Sequence, residues 1–220
     1  MNMGDGVFGN PITNSTLKRL PEFEDDYNIT SIDRACVALN MKNAEEKNVR
    51  ALQYLEMLKE KCGVDLGTLC LLYNATGDTI KLVTYKNWYG NIGASPYPME
   101  IANGQWGAFL HVKKSPGPNS VGAVVYRGKD PTGVECDWMV SFDNPDNKVQ
   151  LNTKAYTEVR EIDHFLLDST WATIYNLMQS SGYFHDSTKD KNNQKGCSLS
   201  VSIGNDHFPI AVAVFTLQDV

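Results

Sequence analysis

The sequence predicts a mainly β, α+β protein in which a β-sandwich follows an amphipathic helix. From residue 64 onward, short apolar runs alternate with clusters of turn residues at the regular spacing that is typical of sandwiches. Residues 31–63 instead carry apolar side chains at helical spacing, and one further helical segment, 164–181, interrupts the strands. The predicted organisation is therefore an irregular arm at 1–30, a helix or helix pair at 31–63 packed on the body, and a β-sandwich domain at 64–220.

The N-terminal arm contains several glycines and two prolines among polar residues, which favours irregular structure. Its segment 7–13 is more apolar, so we expect it to dock on the body. Thr30 or Ser31 is suited to cap the following helix, and Gly63 is a stop signal. Polar residues at 40–43 predict a bend or a break. The helix mixes acidic and basic residues on its polar side, so we expect its apolar face to pack on the sandwich rather than enter a membrane.

Four strand pairs are predicted along the sandwich. Residues 69–73 and 80–84 flank a Gly-Asp turn and are expected to form a hairpin, and 108–112 is expected to pair with 122–126. The other two pairs are 136–142 with 155–161, and 199–204 with 210–217. The last strand is apolar on both faces, which predicts either a central position or a cover from the helix or a second chain.

The inserted helix at 164–181 begins near Asp163 or Asp168 and ends at Gly182. The side chains predicted to share its buried face are Phe165, Leu166, Ser169, Thr170, Thr173, Ile174, Leu177 and Met178.

Composition limits the function classes. A net charge of −6 argues against a nucleic-acid partner, and no apolar run approaches the 18 residues of a transmembrane helix, so at most peripheral membrane contact is expected. The N-terminus lacks a secretory pattern. Five cysteines without a CxxC pair indicate free thiols in a reducing compartment, and we expect a cytoplasmic protein without a cofactor.

The sequence patterns that would indicate catalysis or metal binding are weak. The four histidines show no metal-binding spacing, and we predict neither catalytic residues nor a metal site. His111 lies within a strand run, which favours a hydrogen-bonded histidine of the sheet. Residues distant in sequence can still form a catalytic pocket, so an enzyme remains an alternative.

Aromatic residues carry the stronger functional signal. Trp88, Tyr89, Tyr97 and Trp106 lie in a stretch rich in glycine, asparagine and proline, which we interpret as a loop. Loop aromatics stack on sugars, choline groups or lipid headgroups, because a ring has an apolar face and a polar edge. The alternative for Trp106, and also for Trp88 and Tyr89, is a place in the core.

Four segments give the chain a family resemblance. They are Gly6–Thr13, Asn103–His111, Gly122–Arg127 and Asp137–Pro145. In these segments the sequence resembles the 23 kDa jasmonate-induced proteins of plants. That resemblance implies a plant protein in a stress context and does not imply a mechanism.

A more distant resemblance concerns the order of the strands. The Asn74–Gly77 turn, the approach from Pro96 to Gly107, the strand from Gly122 to Tyr126 and the motif Ser141-Phe142-Asp143 are similar to the actinoporin-like β-sandwich. That group includes pore formers, fungal lectins and fungal lipid binders. The matched positions add Tyr126, Phe142 and Asp143 to the candidate ligand contacts.

The departures from that group are informative. Ser141 stands in place of a proline, and residues 144–148 replace the tyrosine-rich run that holds phosphocholine. The resemblance therefore implies binding without membrane perforation. We predict a stress-associated binding protein, without catalysis, that recognises a glycan or lipid headgroup. The alternatives are an enzyme acting on a small plant metabolite or peptide, and a structural or storage protein that forms homo-oligomers.

Overall fold

The computed structural model describes residues 6–23, 28–114, 117–218 and 220. Its strands are β1 (Val7–Phe8), β2 (Gly67–Ala75), β3 (Ile80–Tyr89), β4 (Asn91–Ile92), β5 (Glu100–Ile101), β6 (Trp106–Val112), β7 (Ser120–Lys129), β8 (Glu135–Asn144), β9 (Lys154–Glu161), β10 (Phe184–Asp186), β11 (Cys197–Ile203) and β12 (Ile210–Leu217). Its α-helices are α1 (Asn14–Leu17), α2 (Ser31–Asn40), α3 (Lys47–Lys61) and α4 (Asp168–Ser180). Short 3₁₀ turns lie at Pro21–Phe23, Ala44–Glu46, His164–Leu166 and Ser187–Lys189.

Two sheets form the sandwich that the alternating strands predict. The first sheet has the order β1-β6-β2-β12-β11-β10, with β4 also pairing with β6, and the second has the order β5-β3-β7-β8-β9. All neighbours are antiparallel except β2 and β12. Apolar side chains from the facing sides of both sheets fill the space between them, including Phe109, Trp138, Phe142 and Phe215.

The helices cover the outer faces of the sheets. The side chains of α2 and α3 pack with Leu69, Leu71 and Tyr73 of β2, on the face of the first sheet opposite the sandwich interior. Because β2 is buried on both faces, its sequence is almost continuously apolar. The same holds for β12, which lies between β2 and β11 and is covered by helices on its outer side, as its two apolar faces predict.

Local signals at the N-terminal helices are confirmed. Thr30 caps α2 reciprocally, because Thr30 Oγ1 accepts from Asp33 N at 3.3 Å and Asp33 Oδ2 accepts from Thr30 N at 2.8 Å. The predicted break falls between α2 and α3, where Glu45 and Glu46 have positive φ. Gly63, with φ of +66°, follows the end of α3.

The N-terminal segment is more regular than an irregular arm. Val7 and Phe8 pair with Gly107 and Trp106, so the predicted docking of this segment is confirmed and takes the form of an edge strand. The rest of the arm contains α1, and residues 1–5 and 24–27 lie outside the described residues.

Two of the four predicted strand pairs are correct. β8 pairs with β9, and β11 pairs with β12. The expected hairpins of 69–73 with 80–84 and of 108–112 with 122–126 are wrong. β2 and β6 belong to the first sheet, whereas β3 and β7 belong to the second. A turn residue marks where a strand ends, but it does not specify whether the next strand stays in the same sheet.

Candidate functional site

Most of the aromatic candidates lie in the core. Trp106 packs its ring 4.8 Å from Tyr73 beneath the helices and donates from Nε1 to the carbonyl oxygen of Lys42 at 3.0 Å. Tyr126 and Phe142 are enclosed between the two sheets. These three side chains expose at most 3% of their surface, so we exclude them from the candidate ligand-binding surface.

Tyr97 is also buried and does not reach the candidate site. Its ring packs 4.8 Å from Phe109, and its hydroxyl donates to Asn87 Oδ1 at 3.2 Å. Trp88 and Tyr89 are not loop residues, because they end strand β3. Register shifts in β3 next to Thr84 and Tyr89 interrupt the regular alternation. The loop prediction rested on the glycine, asparagine and proline content of the stretch, most of which follows the end of β3.

The structure brings Trp88, Tyr89 and Asp143 together on the outer side of the second sheet. Tyr89 is opposite Val121 in β7, and Val121 is opposite Asp143 in β8. Helix α4 packs on the same side. The Trp88 ring lies 5.8 Å from Trp171 and 5.5 Å from Tyr175, measured between centroids.

Tyr175 connects the aromatic rings to the carboxylate. The pKa of its hydroxyl is raised by burial, by the charge of Asp143 and by a hydrogen bond with Tyr89. Trp171 is buried beneath this group, whereas Tyr89 is 44% exposed. We refer to Trp88, Tyr89, Trp171 and Tyr175 as the aromatic shelf.

Asp143 lies beside the shelf as a buried carboxylate with an unused oxygen. Its Oδ2 accepts from Gln179 Nε2 at 2.5 Å, but its Oδ1 is buried and accepts no hydrogen bond from any described residue. Burial raises the pKa of this carboxyl, and the Gln179 hydrogen bond, Lys154 and Lys148 oppose the rise. A buried acceptor without a partner is costly, so a ligand that supplies a donor or a cation would be stabilised here.

Two lysines lie near this carboxylate. Lys154 pairs with Asp143 across β8 and β9, and its Nζ donates to Gln179 O at 2.6 Å and to Gln179 Oε1 at 3.0 Å. Lys148 donates to Asn144 Oδ1. Burial lowers the pKa of Lys148, so a bound anion would stabilise its charged form. The site thus combines aromatic rings, one carboxylate and two ammonium groups.

Helix α4 supplies residues that sequence reasoning missed, namely Trp171, Tyr175 and Gln179. The predicted buried face is wrong in part, because Leu166, Ser169, Thr173 and Leu177 are exposed. The observed buried face is Trp171, Ile174 and Met178, at spacings of three and four residues. The spacing of four residues between Trp171 and Tyr175 is the sequence signal that places these two rings on one side of the helix.

Exposed apolar side chains cluster at the end of the sandwich that carries the 145–153 and 204–209 loops, which we call the loop end. Val149 and Leu151 are 95% and 50% exposed in the first loop, which follows β8 and thus Asp143. Thr153 Oγ1 donates to Gly204 O at 2.6 Å and thereby joins the two loops. Tyr183, 71% exposed, accepts at its carbonyl oxygen from Ile203 N at the same end.

The remaining chemistry-bearing residues do not join this site. His111 is buried between the sheets, where its Nδ1 bonds Ser120 Oγ at 2.9 Å and its Nε2 bonds Asn87 Oδ1 at 3.2 Å, as expected for a hydrogen-bonded histidine of the sheet. In the part of the chain that the structure describes, no three histidine, cysteine, aspartate or glutamate side chains group as metal ligands. The described helices include none with the length and apolar character to span a membrane.

Comparison with known proteins gives matches over most of the chain. A family model described as Nakanori-like protein matches residues 8–218. A barley (Hordeum vulgare) protein named 23 kDa jasmonate-induced protein is 43% identical over 177 residues, which are 80% of this chain and 82% of the barley protein. The crystal structure of the lipid-binding protein Nakanori has a TM-score of 0.84 and 27% identity, and the match covers 95% of this chain and 98% of that chain.

A lectin from Xerocomus chrysenteron is a weaker structural match. It has a TM-score of 0.42 and 13% identity, and the match covers 68% of this chain and 97% of the lectin. This level of likeness supports no functional inference.

Proposed function

The chain belongs to the family of Nakanori-like proteins, and from this premise we propose that it is a stress-associated protein that binds a lipid headgroup at the aromatic shelf. A lipid is proposed as the ligand because the structurally similar Nakanori is a lipid-binding protein. The stress context is proposed because the barley relative is a jasmonate-induced protein. The proposal rests above all on the unpartnered Oδ1 of Asp143 beside the exposed ring of Tyr89.

The shelf and Asp143 are suited to the ammonium part of a headgroup. Aromatic faces attract cations, with stabilisation of about 0.5–2 kcal/mol that increases as water is excluded. Trp88, Tyr89 and Tyr175 supply the rings. Asp143 supplies a carboxylate whose Oδ1 accepts no hydrogen bond from the described residues. A choline or ethanolamine group would therefore interact with both features at once.

The two lysines are suited to the phosphate part. Lys154 and Lys148 flank Asp143, and each ammonium has three N–H donors. Both described hydrogen bonds of the Lys154 ammonium go to one residue, Gln179. The ammonium therefore remains able to interact with a phosphate oxygen. Adjacent positive and negative groups match a zwitterionic headgroup better than an anionic lipid, in agreement with the net charge of −6.

The loop end supports contact with a lipid surface as well as with a single headgroup. Val149, Leu151 and Tyr183 are large and exposed, and they lie beyond Asp143 at the same end of the sandwich. Exposed apolar side chains gathered at one place are typical of interaction surfaces. A protein that places its headgroup site near the bilayer surface would bring these side chains against the interfacial region.

Replacement of Tyr89 by alanine is expected to weaken binding to phosphatidylcholine vesicles by about 2- to 30-fold, because it removes an exposed ring next to Asp143 while leaving the buried rings in place. Vesicle pelleting at several lipid concentrations measures this change. The matched control is Val134→Ala, which removes a side chain of 56% exposure in the turn between β7 and β8, at the opposite end of the sandwich. The control is expected to bind like the wild type.

The proposal fails if wild-type protein with an intact fold does not pellet with phosphatidylcholine vesicles, or if Tyr89→Ala and Val134→Ala bind equally. A glycan array in parallel distinguishes the other ligand class. Glycan binding that is lost in Tyr89→Ala, without vesicle binding, would assign the shelf to a sugar instead.

A further inference from the structure

We infer that the chain has a second ligand site, a small polar cavity at the edge of the second sheet that binds a neutral monosaccharide unit. This site goes beyond the proposed lipid function, because it lies on the other side of helix α4. Tyr175 contacts the shelf, whereas Leu177 lines the cavity, and two residues on an α-helix are separated by roughly 200° around the axis.

The cavity has a volume of about 210 Å³ and lies between β9, α4 and the segment 190–193. This volume is below the roughly 300–1,000 Å³ of pockets that hold drug-sized ligands, so it suits one small ring. The lining side chains that matter most are Tyr156, Glu158, Arg160, Leu177, Asp190 and Asn193. Strand β9 contributes the first three at alternate positions, which places them on one face of the sheet.

Two buried oxygen atoms among the lining residues have no hydrogen-bond donor in the described part of the chain. They are Oδ2 of Asp190 and Oδ1 of Asn193. The orientation of the Asn193 amide is fixed, because its Nδ2 donates to Gln194 O at 3.2 Å and to Cys197 O at 2.8 Å. Its oxygen is therefore held as an acceptor. Native proteins leave few buried acceptors unpaired, so two within four residues of one segment favour a ligand that donates hydrogen bonds.

Several other polar groups of the lining already have partners. Tyr156 donates from its hydroxyl to Glu158 Oε1 at 2.6 Å, and Arg160 lies 3.4 Å from Glu158 Oε2. Asp190 Oδ1 is 3.8 Å from His185 Nε2. Burial raises the pKa of Asp190, which means that its charged form lacks stabilisation that donated hydrogen bonds would supply.

The balance of charge indicates a neutral ligand. The lining contains two acids, Glu158 and Asp190, and two bases, Arg160 and Lys191. A cationic ligand would meet Arg160 and Lys191, and an anion would meet the unpaired acceptors. A sugar can bond both the acceptors and the basic donors of the lining. Its hydroxyl groups would donate to Asp190 and Asn193 and accept from Arg160 and Lys191. Its C–H face would contact Leu177.

Saturation-transfer NMR and calorimetry with a panel of free sugars test this site directly. The panel contains glucose, galactose, mannose, fucose, N-acetylglucosamine and N-acetylgalactosamine, with choline and arginine as cationic probes. At least one sugar is expected to bind saturably, and Asp190→Asn is expected to weaken it about tenfold by replacing an acceptor with a donor. The control Glu60→Gln removes one exposed negative charge on α3 and is expected to bind like the wild type.

Amide chemical shifts of the wild type give a second measurement that does not depend on a variant. Bound sugar is expected to shift the amides of 190–193 and of Tyr156, and to leave those of Trp88 and Tyr89 unchanged. Asp190→Asn should still bind vesicles, and Tyr89→Ala should still bind the sugar, so failure of this site and failure of the lipid site are separate results. The inference would be overturned if no sugar of the panel bound saturably, if a cation bound in preference to every sugar, or if the shifted amides belonged to residues that do not line the cavity.

Discussion

Acidification from pH 6.5 to pH 4 is expected to remove about 3 kcal/mol from the free energy of unfolding through His111 alone. Burial between the sheets lowers the pKa of this imidazole from 6.5 to about 3. The groups that contact it are Ser120, Asn87 and Phe142, all without charge. The folded protein therefore holds His111 neutral, whereas the unfolded chain binds a proton below pH 6.5.

The sign follows from which state binds the proton. The unfolded state gains it first, so stability is complete above pH 6.5 and falls by about 1.4 kcal/mol for each pH unit below that value, until the folded pKa is reached. Urea unfolding at pH 7, 6, 5 and 4 measures the loss, and carboxylates also contribute to it. The His111 share is the difference in slope between the wild type and His111→Gln. Parallel pH profiles for the two proteins would contradict the neutral assignment.

Replacement of Arg127 by methionine is expected to lower the free energy of unfolding by about 3–5 kcal/mol, because it leaves a buried charge without its partner. Asp137 is fully buried and accepts from Arg127 Nε at 2.8 Å and from Arg127 Nη2 at 3.0 Å. Asp163 joins this group, since its carboxylate bonds Arg127 at 2.7 Å and its N–H donates to Asp137 at 2.8 Å.

This ion group also holds the approach to helix α4, because Asp163 precedes the first residues of the helix. We therefore expect Arg127→Met to loosen the helix that supplies Trp171 and Tyr175. Denaturant unfolding gives the stability change, and near-ultraviolet circular dichroism reports the aromatic packing. Lys129→Met is the matched control on the same strand, since Lys129 is exposed, and it is expected to change stability by less than about 0.5 kcal/mol. Equal losses in the two variants would show that the buried pair is unimportant.

The fold was predictable where one local pattern decides the outcome. Apolar alternation identified most strands, Thr30 and Gly63 set the ends of the N-terminal helices, and the apolar faces of β12 indicated a covered central strand. Sheet membership was not predictable in this way. Whether β3 pairs with β2 depends on long-range competition from β12 and β6, and the turn at 76–79 contains no information about that competition.

The candidate site was predictable only in part. Trp88, Tyr89 and Asp143 are indeed neighbours, but the reasons given for the aromatic residues assumed a loop, whereas they lie on a bulged strand. Tyr126 and Phe142 alternate inward on their strands, which excludes them from the surface. Tyr175 and Gln179 were missed because the position of α4 against the second sheet is a tertiary feature. Helical spacing predicts which side of α4 these two residues occupy, but it does not predict which residues of the sheet they contact.

The most direct measurement for the central claim is fluorine NMR of protein labelled with 5-fluorotryptophan. Of the four tryptophans, Trp88 is partly exposed, and Trp106, Trp138 and Trp171 are buried. Titration with a short-chain phosphatidylcholine below its micelle concentration is expected to shift the Trp88 resonance saturably, with smaller changes at its neighbour Trp171 and none at Trp106 or Trp138. Saturable binding of the lipid that leaves the Trp88 resonance unchanged would contradict a headgroup site at the aromatic shelf.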